Sequence, residues 1–254
     1  MNGGSPSTAP RARTVVNLGC GDKVGTHADV INVDWSIYLR FRTSPLLAWL
    51  PPLVLDAKRR ERYLDLPRNI IAHDLSRGLP FADASVDVVY HSHMLEHLDR
   101  SQVPDFLGEV RRVLKPGGVQ RIVVPDLEQL ARLYLEDLAQ RAPVAAAWAG
   151  HDASVAEIVE QSVRREAAAA RSLTGLRRRI YTLVFGDARR RGETHQWLYD
   201  RVNLGALLLE AGYRDIRVER FDTSRIEGWQ EYGLDTDAAG GQYKPGSLYL
   251  EACR

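Results

Sequence analysis

The sequence predicts an α/β fold: a doubly wound, mostly parallel sheet of seven strands. Short apolar runs alternate with stretches of helical periodicity through most of the chain. The runs are apolar throughout rather than at every second position, as suits parallel strands covered on both faces. Strand, helix, strand in repetition then winds the sheet in the right-handed sense.

Each element follows in order. Thr14 to Leu18 reads as the first strand, closed by Gly19-Cys20-Gly21, and Val30 to Val33 as the second, ending at Asp34. Asn69 to Ala72, ending near Asp74, is the third; Val86 to Tyr90 is the fourth; Val119 to Val124, stopped by Pro125, is the fifth. Val103, Phe106, Leu107, Val110, Val113 and Leu114 fall at helical spacing, and Lys115-Pro116-Gly117-Gly118 ends that helix. Asn203 caps a later helix through Leu207 to Leu209. Asp215 to Phe221 and Ser247 to Cys253 supply the last two strands.

Met1 to Arg13 reads as a loose tail, and residues 14–254 as a single domain with insertions at 38–67 and 127–185. Both insertions follow the carboxyl ends of strands, where such sheets bind ligands, and are expected to form a lid or cap. Packing helices or a dimer contact are the plainer alternatives. Asp126 and Gln129 are spaced as a capping box for a helix with Leu127, Leu130, Tyr134 and Leu138 on one face.

Composition excludes several classes. In 254 residues, 34 Lys and Arg stand against 33 Asp and Glu, a formal charge of +1 that supplies no strong field toward nucleic acid or anionic membrane. Apolar residues at 44% and charged ones at 26% rule out wholesale disorder. Cys20 and Cys253 cannot form a disulfide framework, so a reducing cytoplasm is expected. The greasiest run, Pro45 to Leu55, is interrupted by Pro51 and Pro52 and falls short of the roughly 20 residues that span a bilayer. The basic runs Lys58-Arg59-Arg60, Arg177 to Arg179 and Arg189 to Arg191 read as solvated faces. Residues 141–200 hold ten basic and seven acidic residues, a net of three. No nucleic-acid module accompanies them.

The chemistry begins at Gly19-x-Gly21. Two glycines let the backbone approach a ligand, but Val24 occupies the place of a third, and Asp34 lies only thirteen residues past Gly21, short of the dinucleotide spacing of about 20. No phosphate loop is present. Asp34 suits a carboxylate accepting from two ribose hydroxyls, and Asp74 is placed to meet an adenine amino group, so the pair reads as an adenosine site without a phosphate site.

Val15 to Asp22 and Asn32-Val33-Asp34 resemble the first two motifs of class I S-adenosylmethionine-dependent methyltransferases, which have a Rossmann-like sheet. Asp74-Leu75, Leu79-Pro80-Phe81, Ser85 to Tyr90, His93 to Leu98 and Arg112 to Gly118 are similar to the following motifs, in order. His195 to Asp200 and Tyr243 to Tyr249 resemble a subgroup associated with polysaccharide or glycoside tailoring; the insertion at 38–67 departs from its compact form. The resemblance implies S-adenosyl-L-methionine as cofactor and S-adenosyl-L-homocysteine as product. It places Asn17, Gly19, Cys20 and Gly21 around the methionine part, Asp34 on the ribose, Trp35 beside the adenine, Asp74 and Leu75 at its edge, and His91 and Ser92 by the sulfonium.

Methyl transfer to a hydroxyl needs in-line alignment and a proton acceptor. His91, His93, His97 and His195 compete, and His195, in a polar stretch beside Trp197 and Tyr199, is the preferred base, with His93 second. A structural histidine bridging cap and core is the rival. Trp197, Tyr199, Tyr134 and Arg191 are candidate acceptor contacts, Arg191 for an anionic group. The histidines have no carboxylate partner at ligand spacing, so no metal is expected. The expectation is O-methylation of a saccharide or glycosylated metabolite. A non-sugar small molecule is the alternative; RNA methylation or a non-catalytic cofactor-binding protein is less favoured. Possible homodimers aside, no nucleic-acid or membrane partner is expected.

Overall fold

In the computed structural model, β1 (Val15–Leu18) is buried along its whole length as an inner strand of the sheet, with Val15, Val16 and Leu18 kept from water and Asn17 hydrogen-bonded. The structure describes residues 13–140 and 195–254 except 47, 48, 50 and 56, together with 155, 156 and 158. The tail at 1–12, most of the insertion after residue 140, Arg191 and the basic runs at 177–179 and 189–191 lie outside the described residues.

β2 (Val30–Asp34), β3 (Ile70–Ala72), β4 (Val86–Ser92), β5 (Leu114–Pro125), β6 (Arg214–Glu219) and β7 (Ser247–Cys253) join β1 in the order β3-β2-β1-β4-β5-β7-β6. The first five strands pair in parallel, and β7 runs antiparallel to both β5 and β6. This is the seven-stranded, mostly parallel sheet expected. The order reverses at β1 and β4, so a crevice opens at the carboxyl ends of these strands.

Three strands differ by two residues or more from their sequence limits: β6 runs Arg214–Glu219 where Asp215 to Phe221 is expected, and β4 and β5 are longer. β5 begins at Leu114, because the Lys115–Gly118 stretch that ends the helix also enters the ladder, with a shift of register between Val86 and Val88. β4 runs on to Ser92, which takes His91 into the strand.

The helices α1 (Ile37–Thr43), α2 (Pro51–Val54) and α3 (Ala57–Leu64) fill the insertion between β2 and β3. Ser36 caps α1 by accepting from the Leu39 N–H. α4 (Val103–Val113) and α6 (Arg201–Glu210) pack on one face of the sheet, where Phe106, Leu107, Val110, Leu204 and Leu208 meet Val16, Val89 and Ile122. α5 (Leu127–Gln140) follows β5 directly, and Asp126 accepts from the Glu128 N–H as its cap.

The opposite face is covered differently. Residues 19–29 contain no helix, so the connection between β6 and β7 takes its place, with Ile226, Trp229 and Leu234 against Val15, Val88 and Tyr90. That connection is pinned by a buried ionic network. Arg121 on β5, fully buried, donates to Asp235 at 2.7 Å and to Glu251 on β7 at 2.6 Å. Tyr90 and Trp229 also donate to Asp235, at 2.8 and 2.7 Å. Four donors and two carboxylates thus satisfy one another where lone charges would be costly. Among the described residues, no helix is long and apolar enough to cross a membrane.

Candidate active site

The glycine turn after β1 is shaped from behind by two buried asparagines. Asn17 donates to the Lys23 carbonyl at 2.9 Å and to Asn32 at 3.0 Å, and Asn32 bonds both polar groups of Gly25. Asn17, expected to touch the cofactor, therefore braces the turn from within the protein. The sequence marks Asn32 only as part of the second motif and gives it no role of its own, because an asparagine in an apolar strand carries little signal.

Gly19 and Gly21 both hold positive φ, at 61° and 49°. A Cβ on Gly19 would stand 2.6 Å from Met94 Cγ, so the turn lies directly against the segment that follows β4. Gly21 donates its N–H to Asp34 Oδ2 at 2.7 Å, drawing the turn toward the end of β2. Burial pushes the Asp34 carboxyl above its ordinary pKa, while hydrogen bonds from Gly21, Trp35 and Ser36 pull the other way. Cys20 is buried beside it, and burial with the Asp34 charge pushes its thiol up to about 12. Trp35 is partly exposed next to Asp34, with the Arg40 guanidinium 5.8 Å from its ring. At the end of β3, Asp74 caps a short 3₁₀ turn over Leu75–Arg77, accepting from the Ser76 N–H and hydroxyl, and Leu75 packs against the core.

The segment after β4 carries the second half of the site. Ser92 ends the strand, and His93 turns the chain with a φ of 50°. Its Nε2 meets Ser247 Oγ at 2.8 Å and its Nδ1 lies 3.4 Å from Glu96 Oε1. Burial, joined by the nearby charges of Lys244, His195 and His97, lowers the His93 pKa to about 3. Leu95–His97 forms a 3₁₀ turn with Glu96 fully buried, and burial raises the Glu96 carboxyl to about 8. Neither Glu96 carboxylate oxygen has a hydrogen-bond partner.

His195 reaches this turn from far along the chain. Gln196 and Trp197 donate their N–H groups to the Glu96 carbonyl at 2.6 and 3.4 Å, and the His97 and His195 ring centroids are 4.8 Å apart. Ligand atoms of Glu96, His97 and His195 all lie within 4.8 Å of one another. The expectation that these histidines lack a carboxylate is corrected by that geometry: sequence spacing cannot register a partner 99 positions away.

Two further expectations are corrected. His91 does not line the open edge; it is fully buried within β4, its Nε2 accepting from the Gln120 amide at 3.0 Å and its ring 5.5 Å from Phe106. Burial lowers its pKa to about 3 and keeps it neutral. Tyr199, expected at the acceptor, is fully buried in the core, where its backbone forms a bridge to Asp126. Trp197 remains 43% exposed, with the Arg100 guanidinium 4.7 Å from its ring. Tyr134 is half-buried on α5. An open cleft of about 580 Å³ lies alongside, lined by Asp126, Arg132, Arg201, Phe221, Ser247 and Tyr249, and adjoins the histidines through Ser247.

Residues 51–122 match the family model described as a methyltransferase domain. Over 87 residues the chain is 39% identical to a Mycolicibacterium smegmatis protein described as "Probable S-adenosylmethionine-dependent methyltransferase". The match covers 29% of this chain and 33% of that protein, so the chain spans about a third of the length of the curated relative it matches. Among solved structures, a SAM-dependent methyltransferase from Archaeoglobus fulgidus is similar at 14% identity and a TM-score of 0.43, over 96% of this chain and 86% of that one. Another from Mesorhizobium loti is similar at 17% identity and a TM-score of 0.42, over 97% and 94%. Residues 51–122, which include β3 and β4 and most of β5, are thus similar to a methyltransferase domain. S-adenosylmethionine is the cofactor in the name of the matched relative. The residues present suit it, since a Cβ would fill the cradle at Gly19 and the half-buried Asp34 carboxylate stands at the end of β2 beside it.

Proposed function

We propose that this protein transfers a methyl group from S-adenosyl-L-methionine to a hydroxyl oxygen of a saccharide or glycosylated metabolite. The observation that carries the reading is the contact of the glycine turn with the His93–His97 segment through Gly19 and Met94. It supports the reading because the glycine turn and a cluster of three histidines lie side by side.

The cofactor, when bound, supplies a methyl on a sulfonium: the acceptor oxygen bonds to that carbon, the C–S bond breaks with its electron pair going to sulfur, and the hydroxyl proton passes to a histidine of the cluster and on to solvent. Asp34 holds the ribose, and Gly19 and Gly21 let main chain approach the methionine part. Trp35 flanks the adenine, with Asp74 and Leu75 at its edge and Ser92 toward the sulfur. On the acceptor side, the cluster of His195, His93 and His97 meets the hydroxyl. Trp197, exposed two residues from His195, offers an apolar face to a sugar ring. The helices after β2 and α5 after β5, which carries Tyr134, flank the acceptor in this reading; Arg191, the candidate for anionic acceptors, lies outside the described residues. A site that aligns reactants and excludes water supplies most of what this displacement needs.

The test is incubation with labelled methyl donor and a panel of sugars, glycosides and phenols, with mass spectrometry of products and calorimetry of S-adenosyl-L-homocysteine binding. Methyl ethers of glycosides, lost in His195→Ala while homocysteine-nucleoside binding persists, are expected. Products on phenols alone overturn the acceptor class, and absence of cofactor binding overturns the whole reading.

A further inference from the structure

We infer that Glu96, His97 and His195 bind a divalent first-row transition-metal ion beside the methyl-transfer site, with His93 at its border. This rests on the reading above and specifies how the acceptor hydroxyl is activated there.

Three observations carry it. The donor atoms of Glu96, His97 and His195 converge within 4.8 Å of one another. An ion bound at about 2.0–2.2 Å from each donor holds them roughly 3–4 Å apart, so the side chains need to draw in by less than about an ångström. Secondly, the Glu96 carboxyl is fully buried and neither oxygen is hydrogen-bonded. A buried carboxylate is normally paired, hydrogen-bonded or coordinated to a metal. His93 Nδ1 lies 3.4 Å from Glu96 Oε1, at the border of the group. Thirdly, the backbone is fixed where ligands need fixing, since the Glu96 carbonyl accepts from both Gln196 and Trp197 and so ties the His195 strand to the Glu96-His97 turn. His93 in turn is oriented by Ser247, the kind of outer hydrogen bond that steadies a ligand shell.

The donor set selects the ion. Two imidazoles and one carboxylate favour Zn, Mn, Fe, Co or Ni over Mg or Ca, which prefer all-oxygen shells. His97 and His195 are only half-buried, leaving coordination positions open toward solvent and the acceptor. An acceptor hydroxyl bound there becomes more acidic, as metal-bound water does. Its proton passes to solvent, and the oxygen attacks the methyl carbon as the C–S bond breaks. The site therefore departs from the metal-free one expected from sequence spacing.

The experiment uses the full chain, stripped with chelator and dialysed. Co²⁺ is titrated by visible absorption and Zn²⁺ by calorimetry, with S-adenosyl-L-homocysteine binding measured separately. One ion per chain, with a Co²⁺ spectrum of nitrogen and oxygen ligands, is expected. Glu96→Gln, close to isosteric, and His195→Ala each weaken the ion at least 100-fold and leave S-adenosyl-L-homocysteine affinity within threefold, which also shows that the variants fold. Absence of stoichiometric metal binding, or binding that neither variant weakens, overturns the inference. So does hydroxyl methylation that persists undiminished in the stripped protein, an outcome that leaves the methyltransferase reading intact. Failure of S-adenosyl-L-homocysteine to bind a protein that does take up the ion sinks that earlier reading instead.

Discussion

Gly19 sits so close to Met94 that any side chain at position 19 would enter the methionine: the Cβ position is 2.6 Å from Met94 Cγ. The same glycine has a φ of 61°, a left-handed conformation that costs an L-residue about 1–2 kcal/mol. Gly19→Ala therefore combines backbone strain with displacement of Met94 toward the histidine cluster. Binding of S-adenosyl-L-homocysteine is expected to weaken at least tenfold by calorimetry, with the melting temperature falling only a few degrees. Adding Met94→Ala removes the contact and keeps the strained φ, so it should recover part of the affinity. Full recovery would show that the backbone conformation is immaterial.

Asp34 and Cys20 share the floor of the same turn, with Sγ 3.9 Å from Oδ2. Burial and the neighbouring carboxylate push the thiol to about 12, so at pH 8 only about one molecule in 10⁴ carries the reactive thiolate. In a Cys253→Ser background, Cys20 is expected to react with a disulfide reagent at least 100-fold more slowly in the native protein than in denaturant. Asp34→Ala removes the negative charge and should speed the native reaction. A rate equal to that of the unfolded chain would mean that the turn opens freely to solvent.

The central strands and the glycine turn were legible because their signals are local. Val15 to Leu18 is apolar apart from Asn17, Gly19-x-Gly21 follows at once, and the structure has both at those positions. His91 was misplaced for an equally physical reason. A histidine beside serine reads as loop, yet Gln120 on the neighbouring strand bonds its Nε2 and β4 continues to Ser92. Glu96 meets His195 only through tertiary structure, and a buried glutamate followed by histidine in a short turn has no periodicity to announce it. Likewise Arg121 looks like a solvent-facing residue of β5 until Asp235 and Glu251 arrive from the far end of the chain.

That buried triad predicts a large stability effect remote from the cofactor. Asp235→Asn leaves the Arg121 guanidinium with Glu251 as its remaining carboxylate, and the amide nitrogen opposes donors from Tyr90 or Trp229. Breaking a buried ion pair by removing one partner typically costs about 3–5 kcal/mol. For a chain of this size that corresponds to a melting temperature lower by on the order of 10 °C. Scanning calorimetry at fixed pH checks it, with Glu219→Gln on the half-buried end of β6 as the comparison expected to shift little. Equal shifts for both would mean that the network adds nothing beyond its location.

Asp200 gives the last prediction, because its capping box fixes the stretch that carries His195. The Asp200 carboxylate accepts from the Val202 and Asn203 N–H groups, both at 2.8 Å, and Asn203 returns the bond to the Asp200 N–H at 3.2 Å. The Asn203 amide also donates to the Leu198 carbonyl at 3.3 Å, so the start of α6 reaches back into residues 195–199. Asp200→Ala should cost about 1 kcal/mol as an ordinary lost N-cap. Looser placement of His195 should in addition reduce turnover several-fold, while S-adenosyl-L-homocysteine binding stays within twofold, since Gly19, Gly21 and Asp34 lie on other elements. Asp200→Asn or Asp200→Ser, which still cap, should restore both stability and turnover. Loss of stability without loss of turnover in Asp200→Ala would show that His195 is held by the Glu96 carbonyl alone.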